Sequence, residues 1–214
     1  MERRKALRTI GFGTTAISVT PAVVGMLQSC QSKNNTFKPI HFSKDQFSVL
    51  SKLMDLIIPE TDIPGAIQLN LPEFLDGFIG AIFSAKAKEN IAKGLDCFIA
   101  VALEDSAKDS ASSLSTEDLD SQLAKYLKAD QKQQQRWKKQ KIAYSIAVKK
   151  DISLDPPVKA IAHSFLLELR SLTINAFKTN KFIGENVLAY LPIPGQYRGC
   201  VDLNETTGGK AWSL

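Results

Sequence analysis

The stretch SKDQFSVLSKLMDLIIPETDIPGA, residues 43–66, sets the fold class. Phe47, Leu50, Leu53, Met54 and Ile57 recur at steps of three and four, which puts them on one face of an α-helix. Ser43 stands where an N-cap hydroxyl accepts from the first free amides. Pro59 ends the run, because it lacks an amide hydrogen and disfavours helix in the residue before it. Beyond it, Asp62 is placed to accept backbone amides in a turn, and Pro64-Gly65 suits the centre of a type II turn.

The same period continues downstream. Asn70, with Pro72 in the first turn, starts a second helix whose Phe74, Leu75, Phe78, Ile79 and Ile82 are expected to face inward. Glu73 and Asp76 sit at its start, where the helix dipole favours acids. A third helix covers about residues 86–104, with Ile91, Leu95, Phe98, Ile99 and Ala102 as its stripe. Ser115 and Asp118 approximate a capping box ahead of Leu119, Leu123, Tyr126 and Leu127. KADQKQQQRWKKQK, residues 128–141, reads as a solvated helix or helix connection and not as a nucleic-acid or membrane patch, since such charge runs usually face water.

Pro156-Pro157 open a further helix, to about Phe177, with Val158, Ile161, Phe165, Leu169 and Leu172 on one face. A short helix over about residues 185–190 follows. No segment alternates apolar and polar residues for long, and there is no Asn-Gly hairpin signal. The expectation is an all-α single domain over residues 43–214. Its last part, 191–214, is an irregular extended tail, rich in proline and glycine and without a period.

Residues 1–30, MERRKALRTIGFGTTAISVTPAVVGMLQSC, have the anatomy of an export signal. Arg3 and Arg4, with Lys5 and Arg8, form a basic start, and a mildly apolar run over 10–27 leads to Ser29-Cys30. Glycines, threonines and Pro21 dilute that run below what a membrane-spanning helix needs. The adjacent arginines and Leu7 favour a twin-arginine signal over an ordinary secretory one. LQSC resembles a lipobox, in which Cys30 is acylated and becomes the new N-terminus. Residues 1–29 are then the signal, and 30–42 a polar tether from lipid to folded body. The expected location is the periplasmic side of a bacterial membrane, lipid-anchored after export by the twin-arginine route.

The chain has 27 basic and 22 acidic residues, but the first 29 residues hold four of the basic and one of the acidic, leaving 23 against 21 and a net charge of +2. That removes the case for a nucleic-acid partner. Candidate chemistry is sparse. His41 and His163 are the two histidines, without an HExxH pattern or an i+4 ligand partner, and each reads as a surface or half-buried group. There is no GxGxxG or P-loop, and no CxxC or CxxCH pair. Cys97 has apolar neighbours and reads as a buried thiol, while Cys200 lies in a glycine-flanked loop and is open to pairing with Cys97, with a partner's thiol, or to staying free. Glu60, Asp62, Glu73 and Asp76 read as turn and helix-start groups, not as a general acid/base pair. No catalytic, cofactor-binding or metal-binding residue is assigned to this chain.

Two stretches carry a family resemblance. Residues 53–79, LMDLIIPETDIPGAIQLNLPEFLDGFI, and the motifs within residues 172–214 resemble the gluconate 2-dehydrogenase subunit 3 family. The first motif is Ile57, Ile58, Pro59, Thr61, Asp62, Pro64, Gly65 and Ala66. The second is Tyr190, Pro192, Pro194, Gly195, Tyr197 and Gly199, with Ala211-Trp212 near the end. Lys181 departs from the acidic residue that related chains tend to carry.

The resemblance implies a non-catalytic small helical subunit that accompanies a flavin-containing dehydrogenase of the glucose–methanol–choline type, often with a cytochrome c subunit. FAD would belong to that partner. The chain would escort its partner through twin-arginine export, stabilise it and anchor it to the membrane. Docking residues expected on this basis are Pro59, Thr61, Asp62, Pro64, Gly65, Tyr190, Pro194, Gly195, Tyr197, Cys200 and Trp212. The alternative from the residues alone is a stand-alone periplasmic lipoprotein that binds a ligand or membrane partner with no redox companion.

Overall fold

The first helix, α1 (Lys44–Ile57), begins on the cap the sequence announces. Ser43 Oγ accepts from Gln46 N–H at 3.2 Å, and Gln46 Oε1 accepts from Ser43 N–H at 2.9 Å, a closed capping box. The structure, a computed structural model, describes residues 37–193, 195 and 199–213. Arg3, Arg4, Cys30, Pro194 and Tyr197 lie outside the described residues. From Lys38 onward the chain forms one unit.

Beyond α1 come α2 (Leu71–Ile82), α3 (Ala85–Ser106), a 3₁₀ turn (Ala111–Ser113), α4 (Thr116–Leu127), α5 (Gln131–Ala147), α6 (Val158–Lys178), a π turn (Ile183–Val187) and a one-turn helix α7 (Leu203–Thr207). Among the described residues the β content is a single bridge, so the unit is all-α as expected. The π turn stands where the sequence suggested a short helix at 185–190. It closes when Leu188 N–H reaches Ile183 O at 2.9 Å, leaving Tyr190 outside it. Ser115 and Asp118 complete the capping box of α4. Lys108 bonds to the Asp118 carboxylate, and with the Ser115 amide holds its pKa down at about 2.

Helix α6 is the hub, packing against α1, α2, α3, α4 and α5. Its closest approach is to α3 at Gly94, where a Cβ would sit 2.8 Å from Phe165 Cβ. The absent side chain lets Phe165 lie against the α3 backbone, with the Phe98 ring centroid 6.4 Å from its own. Leu50, Leu53 and Met54 of α1, Leu75 and Ile79 of α2, Leu95 and Phe98 of α3, and Leu166 and Leu169 of α6 fill the interior.

Two expectations are corrected by burial. His163 is core, only 4% exposed, because α6 is covered on more sides than a single apolar stripe suggests. On α2, Leu75 and Ile79 point inward, but Phe74, Phe78 and Ile82 are exposed, with Phe74 at 50%. The helix carries apolar residues around most of its circumference, and the core takes one side only.

Asp76 is the third departure. It is 0% exposed instead of decorating a helix start. Its carboxylate accepts the amides of Ile40 (2.6 Å), His41 (3.0 Å) and Phe42 (3.0 Å), in the segment that leads into α1. Those three amides have no helix or sheet partner, and an ionised carboxylate supplies acceptors for all of them. Asp76→Ala is expected to lower unfolding free energy by about 2 kcal/mol, since it strands the buried Phe42 amide and frees two part-buried ones. Asp76→Asn should lose less, and urea denaturation of the two variants checks the order.

Candidate partner-binding surface

The PETDIPGA loop is built from its own backbone. Ala66 N–H returns to Ile58 O at 2.8 Å, Leu71 N–H to Ala66 O at 2.9 Å, and Gly65 N–H to Gln68 Oε1 at 3.1 Å. The Gln68 amide in turn donates to Glu60. Gly65 is buried at the waist of this knot. A Cβ there would meet Glu60 N at 2.5 Å and the Pro59 carbonyl carbon at 2.7 Å. Positive φ occurs at Gly195, Gly208 and Gly209 but not at Gly65, so the type II turn is absent and close backbone approach is the reason for glycine.

The tip of the loop faces outward. Pro59, Thr61 and Asp62 are exposed and Pro64 is half-buried. Thr61, not Asp62, makes the local turn bond, with Thr61 Oγ1 accepting Ile63 N–H at 3.4 Å. The Asp62 carboxylate has no hydrogen-bond partner among the described residues. Of the loop residues named from the sequence, Pro59, Thr61 and Asp62 are exposed, whereas Gly65 is buried where the loop's backbone crosses itself.

Helix α2, which follows the loop in the chain, carries a feature that the sequence reading misses. Phe74, Gly77, Phe78 and Ala81 follow one another at steps of three, one and three, so they share one side of the helix. The side chains of Phe74 and Phe78 stack at 5.7 Å between centroids, and Phe83 meets Phe78 edge-on at 5.9 Å. A Cβ on Gly77 would have nothing within 4 Å. These four residues are apolar, with Glu73 at their border, and Gly77 leaves open space beside the two phenylalanine rings. The signal was a second helical series interleaved with Leu71, Leu75 and Ile79, and both series were assigned to one core.

The tail has a fixed path where it is described. Asp202 caps α7 by accepting Glu205 N–H at 2.9 Å. The chain then returns to the turn after α6, where Ala189 N–H donates to Ala211 O and Ser213 N–H to Ala189 O, both at 2.9 Å. These bonds make the bridge between Ala189 and Trp212. The backbone is thus held by its own chain while side chains are left outward. Tyr190, Leu191, Ile193, Val201, Leu203 and Trp212 are all exposed, Ile193 at 81%. Gly195 and Cys200 are exposed as well. No hydrogen bond among the described residues joins the loop to the tail.

The interior holds a polar aromatic cluster instead of a reaction centre. Trp137 lies 5.1 Å from the Tyr126 ring and 4.9 Å from the His163 ring. Burial, then the nearby Asp105 and Glu104, raise the Tyr126 phenol to about 12, and burial lowers the pKa of His163. Tyr126 Oη and His163 Nε2 are buried without partners. Cys97 is a free thiol in the core with its pKa raised by burial, and Cys200 is free on the surface. Among the described residues no group of three His, Cys, Asp or Glu side chains could hold a metal, and no helix is long and apolar enough to cross a membrane.

Exposed apolar side chains grouped on one side of a helix mark interaction surfaces. The chain belongs to the gluconate 2-dehydrogenase subunit 3 family, whose model matches residues 44–195, and which is named for an accessory subunit of an oxidoreductase. No curated protein and no solved structure gives a significant match.

Two substitutions test this scaffold. Gly65→Ala should cost about 2 kcal/mol, because the clashing atoms are backbone and the loop must open to admit a methyl group; thermal unfolding reads this. His163 prefers protonation in the unfolded chain, so stability should fall as pH drops below about 6.5. His163→Phe should flatten that slope, seen by comparing urea midpoints at pH 7.5 and 5.

Proposed function

We propose that this chain is the non-catalytic accessory subunit of a flavin-dependent sugar or polyol dehydrogenase, which it escorts through export, stabilises and anchors to the membrane. The observation that carries the reading is the family match combined with the exposed apolar side of α2. Exposed aromatic rings beside a glycine suit a rigid protein partner, because they bury large area at small cost in side-chain entropy. The exposed side chains of residues 190–212 offer a second contact area.

Export and anchoring come from residues 1–30. A twin-arginine signal moves folded proteins, and a flavin subunit folds around FAD before it travels. Such a partner needs no signal of its own if it binds this chain first. An acylated Cys30 then holds the pair to lipid, since two acyl chains anchor stably where one is marginal. Substrate choice would reside in the partner's pocket, with electrons passing onward to a cytochrome c subunit where one is present.

Affinity isolation from native membranes should bring down a flavoprotein with its yellow absorbance. Phe74→Asp/Phe78→Asp should remove most of that flavoprotein while the chain stays folded. Gly77→Leu is the sharper variant: open space at Gly77 and better helix propensity should keep or raise stability while capture falls at least about tenfold. Deleting residues 192–214 should also abolish capture, and Cys30→Ala should release the complex from membranes. A solitary wild-type chain, or full capture by Gly77→Leu, counts against the reading.

A further inference from the structure

Residues 131–150 contain Lys132, Arg136, Lys138, Lys139, Lys141, Lys149 and Lys150 and no carboxylate, with Asp130, Asp151 and Asp155 flanking. All seven cations are exposed, and none forms an ion pair among the described residues. On α5 the spacing of Lys132, Lys139, Ile142 and Ile146, at steps of seven, three and four, puts them on one side. Trp137 and Tyr144, seven apart, take the opposite side against the body. Ile142 (50% exposed) and Ile146 (58%) therefore stand in water among lysines, and Ile152 in the next loop is 89% exposed. A cleft of about 490 Å³ between α5 and α6 lies beside this side, lined mainly by glutamine and serine, with Lys138, Lys141 and Ile142 at its α5 wall.

Against the sequence expectation of a merely solvated helix, and on the strength of the exposed isoleucines, we propose that the outer side of α5 and the loop after it form a membrane-contact face that binds anionic phospholipid, with isoleucines entering the interface and lysines meeting phosphates.

Three features select lipid over other anions. The exposed apolar groups are aliphatic, and Trp137 is buried, so the face offers no aromatic platform for nucleic-acid bases. Six of the seven cations are lysine, the residue that protein interfaces deplete, whereas arginine and aromatics are what they enrich. Lysine clusters with interleaved aliphatic residues on a helix are the pattern of interfacial binding, where diffuse attraction and shallow insertion add. The face needs neither the flavoprotein nor Cys30, so it goes beyond the accessory-subunit reading.

The test uses the full chain carrying Cys30→Ala, which cannot be acylated, and co-sedimentation with vesicles of phosphatidylcholine alone or with about a third phosphatidylglycerol. Lys132→Glu/Lys138→Glu/Lys139→Glu should weaken binding to the anionic vesicles about tenfold or more, and raised salt should do the same to the parent chain. Ile142→Ser/Ile146→Ser should weaken it several-fold, and partition onto neutral vesicles should be alike in the parent and the charge-reversed chain. These are exposed positions, and circular dichroism verifies the fold. Equal binding of the parent to both vesicle types, or no loss on charge reversal, overturns the proposal. So does binding of an oligonucleotide more tightly than anionic vesicles with the isoleucines irrelevant, which marks a general polyanion site.

Discussion

One buried carboxylate orders the approach to the whole bundle. Asp76 gathers the amides of Ile40, His41 and Phe42, and so fixes where the chain enters α1 relative to α2. An isolated charge inside a protein is costly, and this one is tolerated because three donors replace its water. The bonds also explain why α2 can afford an apolar outer side. Its inner side is secured by Leu75, Ile79 and a charged clasp, so the outer phenylalanines are not required for the core.

The same economy recurs in the loop between α1 and α2. Its backbone bonds to itself through Ile58, Gly65 and Ala66, which leaves the exposed Thr61 and Asp62 at a rigid tip. Presenting side chains from a pre-ordered loop lowers the entropy that binding must overcome. The tail uses a different device for the same end. The pairing around Ala189 fixes the backbone near Trp212 while the tail's large apolar side chains stay outside.

Helix boundaries are legible where caps and period act locally: Ser43 and Ser115 each accept an amide three residues on, and Pro59 stops α1, whereas the Ser84 cap of α3 emerges only in the structure. The choice of face was less legible. Period alone gives Phe74 and Leu75 nearly equal claim on the core, and only the packing of α6 and the segment before α1 decides between them. Asp76 was unreadable for the same reason, since its partners lie some 35 residues away. Gly65 was read as a glycine of turn conformation, whereas the limiting factor is contact across the loop. Thr61, Asp62 and Trp212 are candidates from motif alone, and the motif cannot say what they touch, while Arg3, Arg4 and Cys30 lie outside the described residues.

Two outward surfaces of this chain differ in kind, and the difference follows from what each can gain. The outer side of α2 has aromatic rings and small residues, with Glu73 at its border, so its stabilisation comes from area and shape against a firm counterpart. The α5 side mixes lysine with isoleucine, a composition that packs poorly on a structured protein but suits a fluid, anionic boundary where each long side chain finds its own depth. A lipid tether alone fixes distance to a membrane and not orientation. A cationic face on the body supplies orientation, because rotating it away from the surface gives up several weak attractions together. An α5 face turned toward lipid, as proposed above, would leave α2 to a different neighbour, and the division of surface chemistry would then be a division of partners.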